Sequence, residues 1–570
     1  MPALTDIIPL LKEAGQQAAE DVAAVAEEVT LPGGGALFRA GEPAGALHFV
    51  LAGSLVVMRP GPHGEELVGY VRRGEPVGEM ALVAGGAHTA SAYALRDTEL
   101  IRIDRTDYER LWHAHPVLIQ SLARKMLERA REPRHDLHTA PPRIFALAAL
   151  SPSIDITART AQLHHRVTAQ GFRCTTLASA DCDKPPAYFE AIEQGSDIVL
   201  FEAQVENEEW YRLVTRQADR IWLFIDGNES PSSLPILNHA QPGARRFGLV
   251  DIVAVGPPFI SGARAQDWLQ ITRAKQLFHW RSDVDADRLA RTISGRSVGL
   301  ALSGGGARAY AHIGAIKAMR EARVPIDFVG GTSMGGIVAA GAALGWNDEE
   351  LDAHIRDAFV QSNPLGDHHL PVVALTRGHI VEERLIKHFG DAMIEELRLP
   401  YFCVSSDLVS ASPYVHRAGL LREALRASIA LPGILPPVAT QDRLFVDGAV
   451  LNNLPTDVMQ GMHYGLTIGI DVAERGSIDP KDFINPPDFA QWVLKHGFKE
   501  PPPIVSLLIR TATIGIDPTA HRKDADLVVT PELGNVELRD WHAYDQAVRA
   551  GYESMVRALA SPEGAKLPRI

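Results

Sequence analysis

The sequence has few cysteines, no long apolar run and no targeting segment. Its three cysteines, Cys174, Cys182 and Cys403, cannot form a disulfide framework, and none lies in a metal-ligand spacing. No stretch approaches the ~18 to 20 apolar residues that span a bilayer, and the first thirty residues lack the charged and apolar blocks of a signal peptide. We therefore expect a cytoplasmic protein with reduced thiols and no bound metal, which meets membrane lipid only peripherally.

Positive charge is also scarce. The chain has 56 Lys and Arg residues against 70 Asp and Glu residues, and its formal net charge is −14. This sign argues against broad electrostatic attraction to nucleic acid or to anionic lipid. Hydrophobic residues make up 46% of the chain and charged residues 22%, which is typical of folded globular proteins. Because 570 residues exceed what one hydrophobic core supports, we predict three domains.

The pattern along the chain predicts a multidomain α/β protein in three blocks. In residues 1–135, short apolar runs separated by glycine turns predict strands packed as a sandwich or barrel, followed by a helical tail. In residues 141–290, strand-like and helix-like segments alternate, which predicts a small parallel α/β domain. Residues 296–560 form a second α/β block, which begins with VGLALSGGGARAYAHIG. The middle block has no recognisable motif, and we expect it to act as a spacer or packing domain.

The third block contains two motifs, each at a predicted strand-to-helix turn. The sequence SGGGARA, residues 303–309, follows the buried-strand run VGLAL and precedes a helix in which His312 is predicted to be a packing residue. The sequence GTSMG, residues 331–335, follows the next strand and opens an apolar helix. A G-x-S-x-G pattern in this setting is typical of a nucleophile elbow, which exposes the serine hydroxyl near a helix N-terminus. Backbone N–H groups of the glycine-rich turn can converge on an oxyanion, and each donor is typically worth ~10² to 10³ in rate.

A serine nucleophile needs a base, and Asp447 is the candidate. It follows the apolar pair Phe445 and Val446 and precedes Gly448, so its carboxylate can point into a cleft at a strand end. An Asp-Gly pair taken alone indicates only a turn. An exposed carboxylate, with a reference pKa of ~3.9, is a weak base at neutral pH. Burial in an apolar cleft should raise the pKa and make the carboxylate an effective base.

Four ordered motifs, GGGARA, GTSMG, ASIALPGILPP and DGA, closely resemble those of the patatin-like phospholipase family over residues 296–555. The resemblance implies an α/β/α domain without a cofactor, in which Ser333 attacks an ester carbonyl and passes its proton directly to Asp447 without a histidine. Backbone groups of three residues in the glycine-rich motif would hold the oxyanion: Gly305, Gly306 and Arg308. The last glycine of the family's oxyanion motif is replaced by Ala309, whose methyl group is expected to tilt the loop.

The first block resembles a cyclic-nucleotide-binding domain, and the resemblance implies a β-roll. The signature GEMALVAGGAHTA begins at Gly78, and its Glu79 would hold the ribose 2′-hydroxyl. The family has a Pro-Arg pair where this chain has Ala87 and His88. A mostly neutral histidine cannot neutralise the cyclic phosphate as a bidentate arginine does. We therefore expect this module to keep the fold and to have lost its function as a cyclic-nucleotide switch.

The domain order, a module of this kind followed by a patatin-like domain, resembles that of the neuropathy target esterase group. Members of that group act on lysophospholipids and phospholipids. The segment from Trp280 to Gly295, just before the third block, strengthens the likeness. We expect this chain to differ in having one such module and no membrane anchor. The resemblance implies hydrolysis of a carboxylic ester in a lysophospholipid or phospholipid through an acyl-serine intermediate.

Three alternatives stay open from the residues alone. Four histidines follow Asp447 as candidate bases of a Ser-Asp-His triad: His463, His496, His521 and His542. A dinucleotide site would use Gly304, Gly306 and Ala309, with Asp327 as the acid that binds the ribose. That acid belongs at the end of a strand, whereas Asp327 is predicted to begin one. The third alternative is a nucleotide-responsive binding protein whose hydrolase domain is inactive.

Overall fold

The computed structural model describes residues 4–61, 64–131, 142–229, 231, 249–256, 262–361, 364–367, 373–473 and 521–570. The predicted domain boundaries at residues 135 and 141 and the candidate base His496 lie outside these ranges. Internal contacts divide the chain into two compact units, one of Met1–Pro257 with Asp267–Ser294 and the other of Pro258–Gln266 with Gly295–Ile570. Within the described ranges, no helix is both long and apolar enough to cross a bilayer.

The first unit begins with short helices and two antiparallel sheets. The elements in chain order are α1 (Leu4–Ile7), α2 (Pro9–Ala14), α3 (Gln16–Val25), β1 (Glu27–Leu31), β2 (Ala36–Phe38), β3 (Ala46–Ala52), β4 (Ser54–Gly61), β5 (Gly64–Arg72), β6 (Pro76–Val77), α4 (Glu79–Ala84), β7 (Ser91–Ala94), β8 (Thr98–Asp104), α5 (Arg105–Ala114) and α6 (Pro116–Arg131). The strand orders are β1-β8-β3-β6 and β2-β7-β4-β5. Alternation along β3 and β8 places Leu47, Phe49, Ile101 and Ile103 in one core with residues of the flanking helices. The predicted β-roll is therefore present.

The first unit continues as a six-stranded parallel sheet. Its elements are β9 (Ile144–Ala149), α7 (Ile156–Ala169), β10 (Cys174–Leu177), α8 (Pro186–Gly195), β11 (Ile198–Gln204), α9 (Glu208–Gln217), β12 (Arg220–Asp226), β13 (Val250–Val255), α10 (Gly262–Thr272), β14 (Gln276–Trp280) and α11 (Asp283–Ile293). The strand order is β10-β11-β9-β12-β13-β14, and each pairing is parallel. Every residue of β9 and of β14 is buried, as expected for parallel strands covered on both faces. The alternating pattern of the sequence predicts this arrangement.

An ion pair with a buried arginine connects the β-roll to the helices beside the parallel sheet. Arg96, in the turn between β7 and β8, is 7% exposed and donates to both carboxylate oxygens of Glu193 in α8, at 3.0 and 2.6 Å. The neighbouring Asp97 accepts a hydrogen bond from the Gly33 N–H group at 2.8 Å and pairs with Arg216 of α9. These contacts join the middle block to the β-roll, and its role as a spacer or packing domain stays a prediction.

The second unit is built on an eight-stranded mixed sheet. Its elements are β15 (Val298–Leu302), α12 (Ala311–Glu321), β16 (Phe328–Thr332), α13 (Met334–Leu344), α14 (Asp348–Ile355), α15 (His379–Phe389), β17 (Tyr401–Asp407), β18 (Ser412–His416), α16 (Leu421–Ser428), β19 (Val438–Ala439), β20 (Leu444–Asp447), α17 (Thr456–Gln460), β21 (Leu466–Ile470), β22 (Leu527–Val529) and α18 (Tyr544–Leu559). The strand order is β19-β20-β17-β16-β15-β21-β22, with β18 paired to β17.

The central strands of this sheet bring three chain turns to one edge. Strands β15, β16 and β17 are parallel, so their carboxyl ends lie side by side. Helix α13, which follows β16, is buried along every residue except Leu344. Helices α12 and α18 pack so closely that a Cβ atom on Gly551 would lie 1.8 Å from the Ala311 carbonyl oxygen. In open α/β sheets, the carboxyl edge is the usual place for a functional site.

Candidate active site

Ser333 lies at this edge in a sharp turn between β16 and α13. Its φ of 53° and ψ of −129° are rarely adopted by a residue with a side chain. A Cβ atom on Gly335 would lie 2.4 Å from the Ser303 carbonyl oxygen, so only glycine lets the turn pack against β15. The Ser333 N–H group donates to Ser428 Oγ at 3.0 Å, and that hydroxyl donates to the Val404 carbonyl at 2.6 Å. The geometry is that of the predicted nucleophile elbow.

The structure brings Asp447 directly to the serine. Ser333 Oγ donates to Asp447 Oδ2 at 2.7 Å, and Asp447 Oδ1 accepts from the Ala449 N–H group at 2.9 Å. Asp447 ends β20 and is 2% exposed. Burial raises the pKa of Asp447 to about 6, although the hydrogen bonds from Ala449 and Ser333 act in the opposite direction. A carboxylate with this pKa can accept the serine proton near neutral pH.

None of the described histidines hydrogen-bonds to Ser333 or Asp447. His463 contacts the Ser297 hydroxyl at 3.1 Å and stacks on Phe328, at the amino ends of β15 and β16 and therefore at the opposite edge of the sheet. His521 lies near Asp457 and Asp524 instead, and His542 is exposed. These positions favour the two-residue dyad over a triad.

His312 does more than fill space in α12. It is fully buried, and its Nε2 lies 2.8 Å from the Ser303 carbonyl oxygen, just before the glycine-rich turn. Because a carbonyl can only accept, Nε2 carries the proton and donates. Burial lowers the pKa of His312 to about 4, so the ring is neutral at physiological pH. His312 therefore helps to fix the start of this turn.

The glycine-rich turn lies beside Ser333. A Cβ atom on Gly304 would lie 3.1 Å from Ser333 Cβ, so a side chain there would crowd the serine. Asn453 holds the Gly304 peptide from both sides, accepting its N–H at 3.1 Å through Oδ1 and donating to its carbonyl at 3.3 Å through Nδ2. Gly306 has a φ of 54°, and a Cβ atom there would lie 2.1 Å from the Leu538 carbonyl oxygen. The Ala307 N–H group donates to the same carbonyl at 2.8 Å.

Arg308 fastens the turn through its side chain. Its Nε donates to the Val472 carbonyl at 2.8 Å, and its Nη1 donates to the Val536 carbonyl at 2.6 Å. The Arg308 N–H group already donates to the Gly305 carbonyl at 3.1 Å. Ala309 is fully buried and has a negative φ. This position therefore does not require glycine, and the methyl group that we expected to tilt the loop packs in the core instead.

Sequence reasoning missed several residues that build this site. Ser428 lies inside the motif ASIALPGILPP, and Asn453 lies four residues after the motif DGA, so their polar side chains are recognisable in the sequence. The carbonyl groups of Val472, Val536 and Leu538 had no such signal, because any residue can supply a backbone oxygen. Within the parts of the chain that the structure describes, no three His, Cys, Asp or Glu side chains converge as metal ligands.

The dinucleotide alternative does not fit the position of Asp327. This residue is fully buried, and its Oδ2 accepts from the Val298 N–H group at 3.0 Å. Val298 begins β15, so Asp327 lies at the amino ends of the strands. A ribose-binding acid has to lie at the carboxyl ends, next to the glycine-rich turn.

The residues predicted as a cyclic-nucleotide pocket lie together in the β-roll. Gly78 has a left-handed conformation, with a φ of 88°, and Glu79 begins α4 and is 3% exposed. His88 is buried and stacks on Phe38, with 3.7 Å between the ring centroids and 8° between the planes. Burial lowers the pKa of His88, although Glu42 acts in the opposite direction. A neutral ring packed against Phe38 cannot replace the charge of an arginine.

We therefore expect cyclic AMP and cyclic GMP to bind this chain no more tightly than a Kd of about 1 mM. The reason is that the phosphate would meet the His88–Phe38 stack instead of a guanidinium group. Isothermal titration calorimetry on the full chain measures this directly. A Kd in the low micromolar range for either nucleotide would show that the module still works as a sensor.

Comparison with known proteins identifies two families along the chain. The family described as patatin-like phospholipase matches residues 300–459, and the family described as cyclic nucleotide-binding domain matches residues 28–115. The two predicted resemblances are confirmed, and with them the multidomain α/β fold class with its N-terminal β-roll and C-terminal patatin-like domain.

Three curated relatives are similar over most of this chain. An uncharacterized NTE family protein of Mycobacterium tuberculosis is 30% identical, over 98% of this chain and 96% of that protein. Human patatin-like phospholipase domain-containing protein 6 is 28% identical, over 78% of this chain and 37% of that protein. Lysophospholipase nte1 of Aspergillus fumigatus is 26% identical, over 92% of this chain and 41% of that protein. The chain thus spans nearly all of the first relative and less than half of the other two.

Proposed function

Because the chain belongs to the NTE family, we propose that it hydrolyses the carboxylic ester of a lysophospholipid or phospholipid through an acyl-serine intermediate. The patatin-like domain and the relatives support a lipid ester hydrolase. The observation that supports the acyl-serine mechanism is the 2.7 Å hydrogen bond from Ser333 Oγ to the buried carboxylate of Asp447. The fungal relative, which is a lysophospholipase, supports the proposed substrate class.

In the proposed reaction, Ser333 Oγ attacks the ester carbonyl carbon while Asp447 Oδ2 takes the hydroxyl proton. The carbonyl oxygen becomes an oxyanion, and collapse of the tetrahedral intermediate breaks the bond to the alcohol. The alcohol oxygen leaves with the proton held by Asp447. Water then attacks the acyl-serine, with Asp447 again as base, and the fatty acid departs while Ser333 regains its proton.

We place the oxyanion hole at the backbone N–H groups of Gly305 and Gly306. The proposal is supported by the residue that precedes them, because a Cβ atom on Gly304 would lie 3.1 Å from Ser333 Cβ. The Arg308 amide, also predicted from the resemblance, joins them only by giving up its bond to the Gly305 carbonyl. In our proposal the Arg308 side chain contributes by holding the turn in place through the Val472 and Val536 carbonyls.

The test of this function is release of fatty acid from defined lipids by the purified chain. Lysophosphatidylcholine and phosphatidylcholine are the lipid substrates, and p-nitrophenyl butyrate is a soluble ester that needs no lipid surface. We expect hydrolysis of the soluble ester and of at least one lipid. Failure with all three would support the alternative, a nucleotide-responsive binding protein with an inactive hydrolase domain.

The pH dependence of kcat/KM should follow the ionisation of Asp447. The base must be ionised, and burial raises its pKa to about 6. We therefore expect kcat/KM for p-nitrophenyl butyrate to be level above pH ~7 and to fall about tenfold per pH unit well below pH ~6. A histidine base would titrate in a similar range, so His521→Gln and His542→Gln serve as controls and should leave the profile unchanged. A profile without an inflection between pH ~5 and ~7 would contradict the assignment.

A further inference from the structure

The hairpin between β17 and β18 carries two aliphatic side chains into solvent. Its tip is residues 408–411, because Asp407 pairs with Ser412. Leu408 is 51% exposed and Val409 is 67% exposed. Large aliphatic side chains at a turn are costly to hydrate, and adjacent ones of this exposure indicate a surface used for contact.

The tip is held in one conformation by a buried acid. Asp407 is 1% exposed, and its carboxylate accepts from the Val409 N–H group at 3.0 Å and from the Ser410 hydroxyl at 2.7 Å. Arg443 Nη1 donates to the same carboxylate at 3.0 Å. The Leu408 N–H group donates to the Leu444 carbonyl at 2.8 Å. The two aliphatic side chains are therefore presented on a braced turn.

The tip projects from the edge of the sheet that holds the dyad. Val404 of β17 is in register with Thr332, the residue before Ser333, and Ser405 is in register with Asp447. At ~3.3 Å per residue, Leu408 lies roughly 13 Å beyond the level of Thr332 along β17. A flat surface that touches the tip would therefore meet the same edge at which Ser333 opens.

The charges at the tip favour a neutral lipid surface over an anionic one. Asp407 and Arg443 compensate each other, and the neighbouring turn adds the exposed Asp442. The chain as a whole carries a formal charge of −14. Attraction to anionic lipid requires a basic cluster, which these residues do not provide.

We propose that the 408–411 tip inserts Leu408 and Val409 into the surface of zwitterionic lipid aggregates and so presents the dyad to its substrate. This inference rests on the proposed lipid ester hydrolysis, which it extends by naming the docking surface. The tip binds the surface, and a single lipid molecule reaches Ser333 from it. Binding is driven by apolar contact, so it is insensitive to salt and gains nothing from anionic lipid.

The experiment compares vesicle binding with hydrolysis of a soluble ester. Full-length wild type, Val409→Asp and Val556→Asp are sedimented with phosphatidylcholine vesicles, with and without phosphatidylglycerol. Val556 is the matched control, since it is 45% exposed and lies on α18. We expect Val409→Asp to lower the partition coefficient at least about tenfold, because burial of a valine is lost and a charge is added. Val556→Asp should bind as wild type does, and all three should hydrolyse p-nitrophenyl butyrate within about twofold of one another.

The outcomes separate this inference from the proposed function. Wild type that hydrolyses p-nitrophenyl butyrate but does not bind phosphatidylcholine vesicles overturns the docking surface and leaves the esterase intact. Equal loss of binding in Val409→Asp and Val556→Asp also overturns it, as does a wild-type dimer that Val409→Asp converts to a monomer. Absence of ester hydrolysis in wild type contradicts the function instead. If Val409→Asp loses ester hydrolysis, the Leu408→Ser/Val409→Ser variant, which adds no charge, takes its place. Weaker vesicle binding by that variant with unchanged ester hydrolysis supports the docking surface, and wild-type vesicle binding overturns it.

Discussion

Ser333→Ala is expected to lower kcat/KM for ester hydrolysis by at least about 10⁴-fold, because the attacking oxygen is removed and water cannot replace it in the same geometry. The same variant should lose covalent labelling by a fluorophosphonate, which reacts only with an activated serine. Gel fluorescence after incubation with the probe measures labelling, and p-nitrophenyl butyrate measures turnover. The substitution removes one oxygen at a position that is 8% exposed, so the fold should persist.

Ser428→Ala is the matched control for this result. Ser428 is a buried neighbour whose Oγ accepts from the Ser333 N–H group, and it is not the proposed nucleophile. We expect the control to keep fluorophosphonate labelling at a reduced rate, because the turn that holds Ser333 loses one hydrogen bond. Labelling of Ser333→Ala at the wild-type level would place the nucleophile elsewhere.

Asp447→Asn should lower kcat by at least about 10³-fold and at the same time stabilise the fold above pH ~6. The amide has nearly the shape of the carboxylate and cannot accept the Ser333 proton. Its oxygen can still accept from the Ala449 N–H group, and its nitrogen can donate to Ser333 Oγ, so both contacts have a replacement. Activity and stability are therefore expected to change in opposite directions.

The sign of the stability effect follows from the raised pKa of Asp447. In the folded chain the pKa is about 6, compared with 3.8 in the unfolded chain, because burial disfavours the charged form. The favourable contribution of the protonated group is complete below pH ~4 and is lost as the pH rises through ~6. A neutral asparagine avoids this loss. The free energy of unfolding of Asp447→Asn should therefore exceed that of wild type by up to about 3 kcal/mol at pH ~8 and match it near pH ~4.

Urea denaturation at the two pH values measures this difference. Asp407→Asn is the contrasting variant, because Asp407 is paired with Arg443 and braces the hairpin turn. Loss of the Asp407 carboxylate in this variant should lower the free energy of unfolding at pH ~8. Wild-type ester hydrolysis by Asp447→Asn would instead return the role of base to a histidine.

Much of the site could be predicted because its chemistry is encoded in side chains and turns. Ser333 and Asp447 stand 114 residues apart in the chain, yet each lies at the end of a strand in a recognisable motif. The turn after β16 lies at the carboxyl edge, as expected for a parallel strand. Strand β20 runs antiparallel to β17, and the register that brings Asp447 opposite Ser405, near the same edge, could not be predicted from the sequence. The β-roll was likewise predictable from alternating apolar residues and glycine turns.

The remaining features depend on tertiary contacts that leave no mark in the sequence. Arg308 reaches a backbone carbonyl at Val536, 228 residues away, and that oxygen would be there with almost any residue. The stack of His88 on Phe38 joins two β-roll segments whose spacing has no pattern. The absence of an arginine at His88 was visible from the sequence, whereas the ring that packs against His88 was not.

The glycine-rich turn is held by carbonyl groups of Val536 and Leu538, which lie far downstream of both members of the dyad. During synthesis, Ser333 and Asp447 leave the ribosome well before these two residues do. A nascent chain thus contains the proposed nucleophile and base while the turn beside them still lacks two of its anchors. We therefore expect hydrolytic competence to be acquired late in translation, after the segment with Val536 and Leu538 has folded onto the turn.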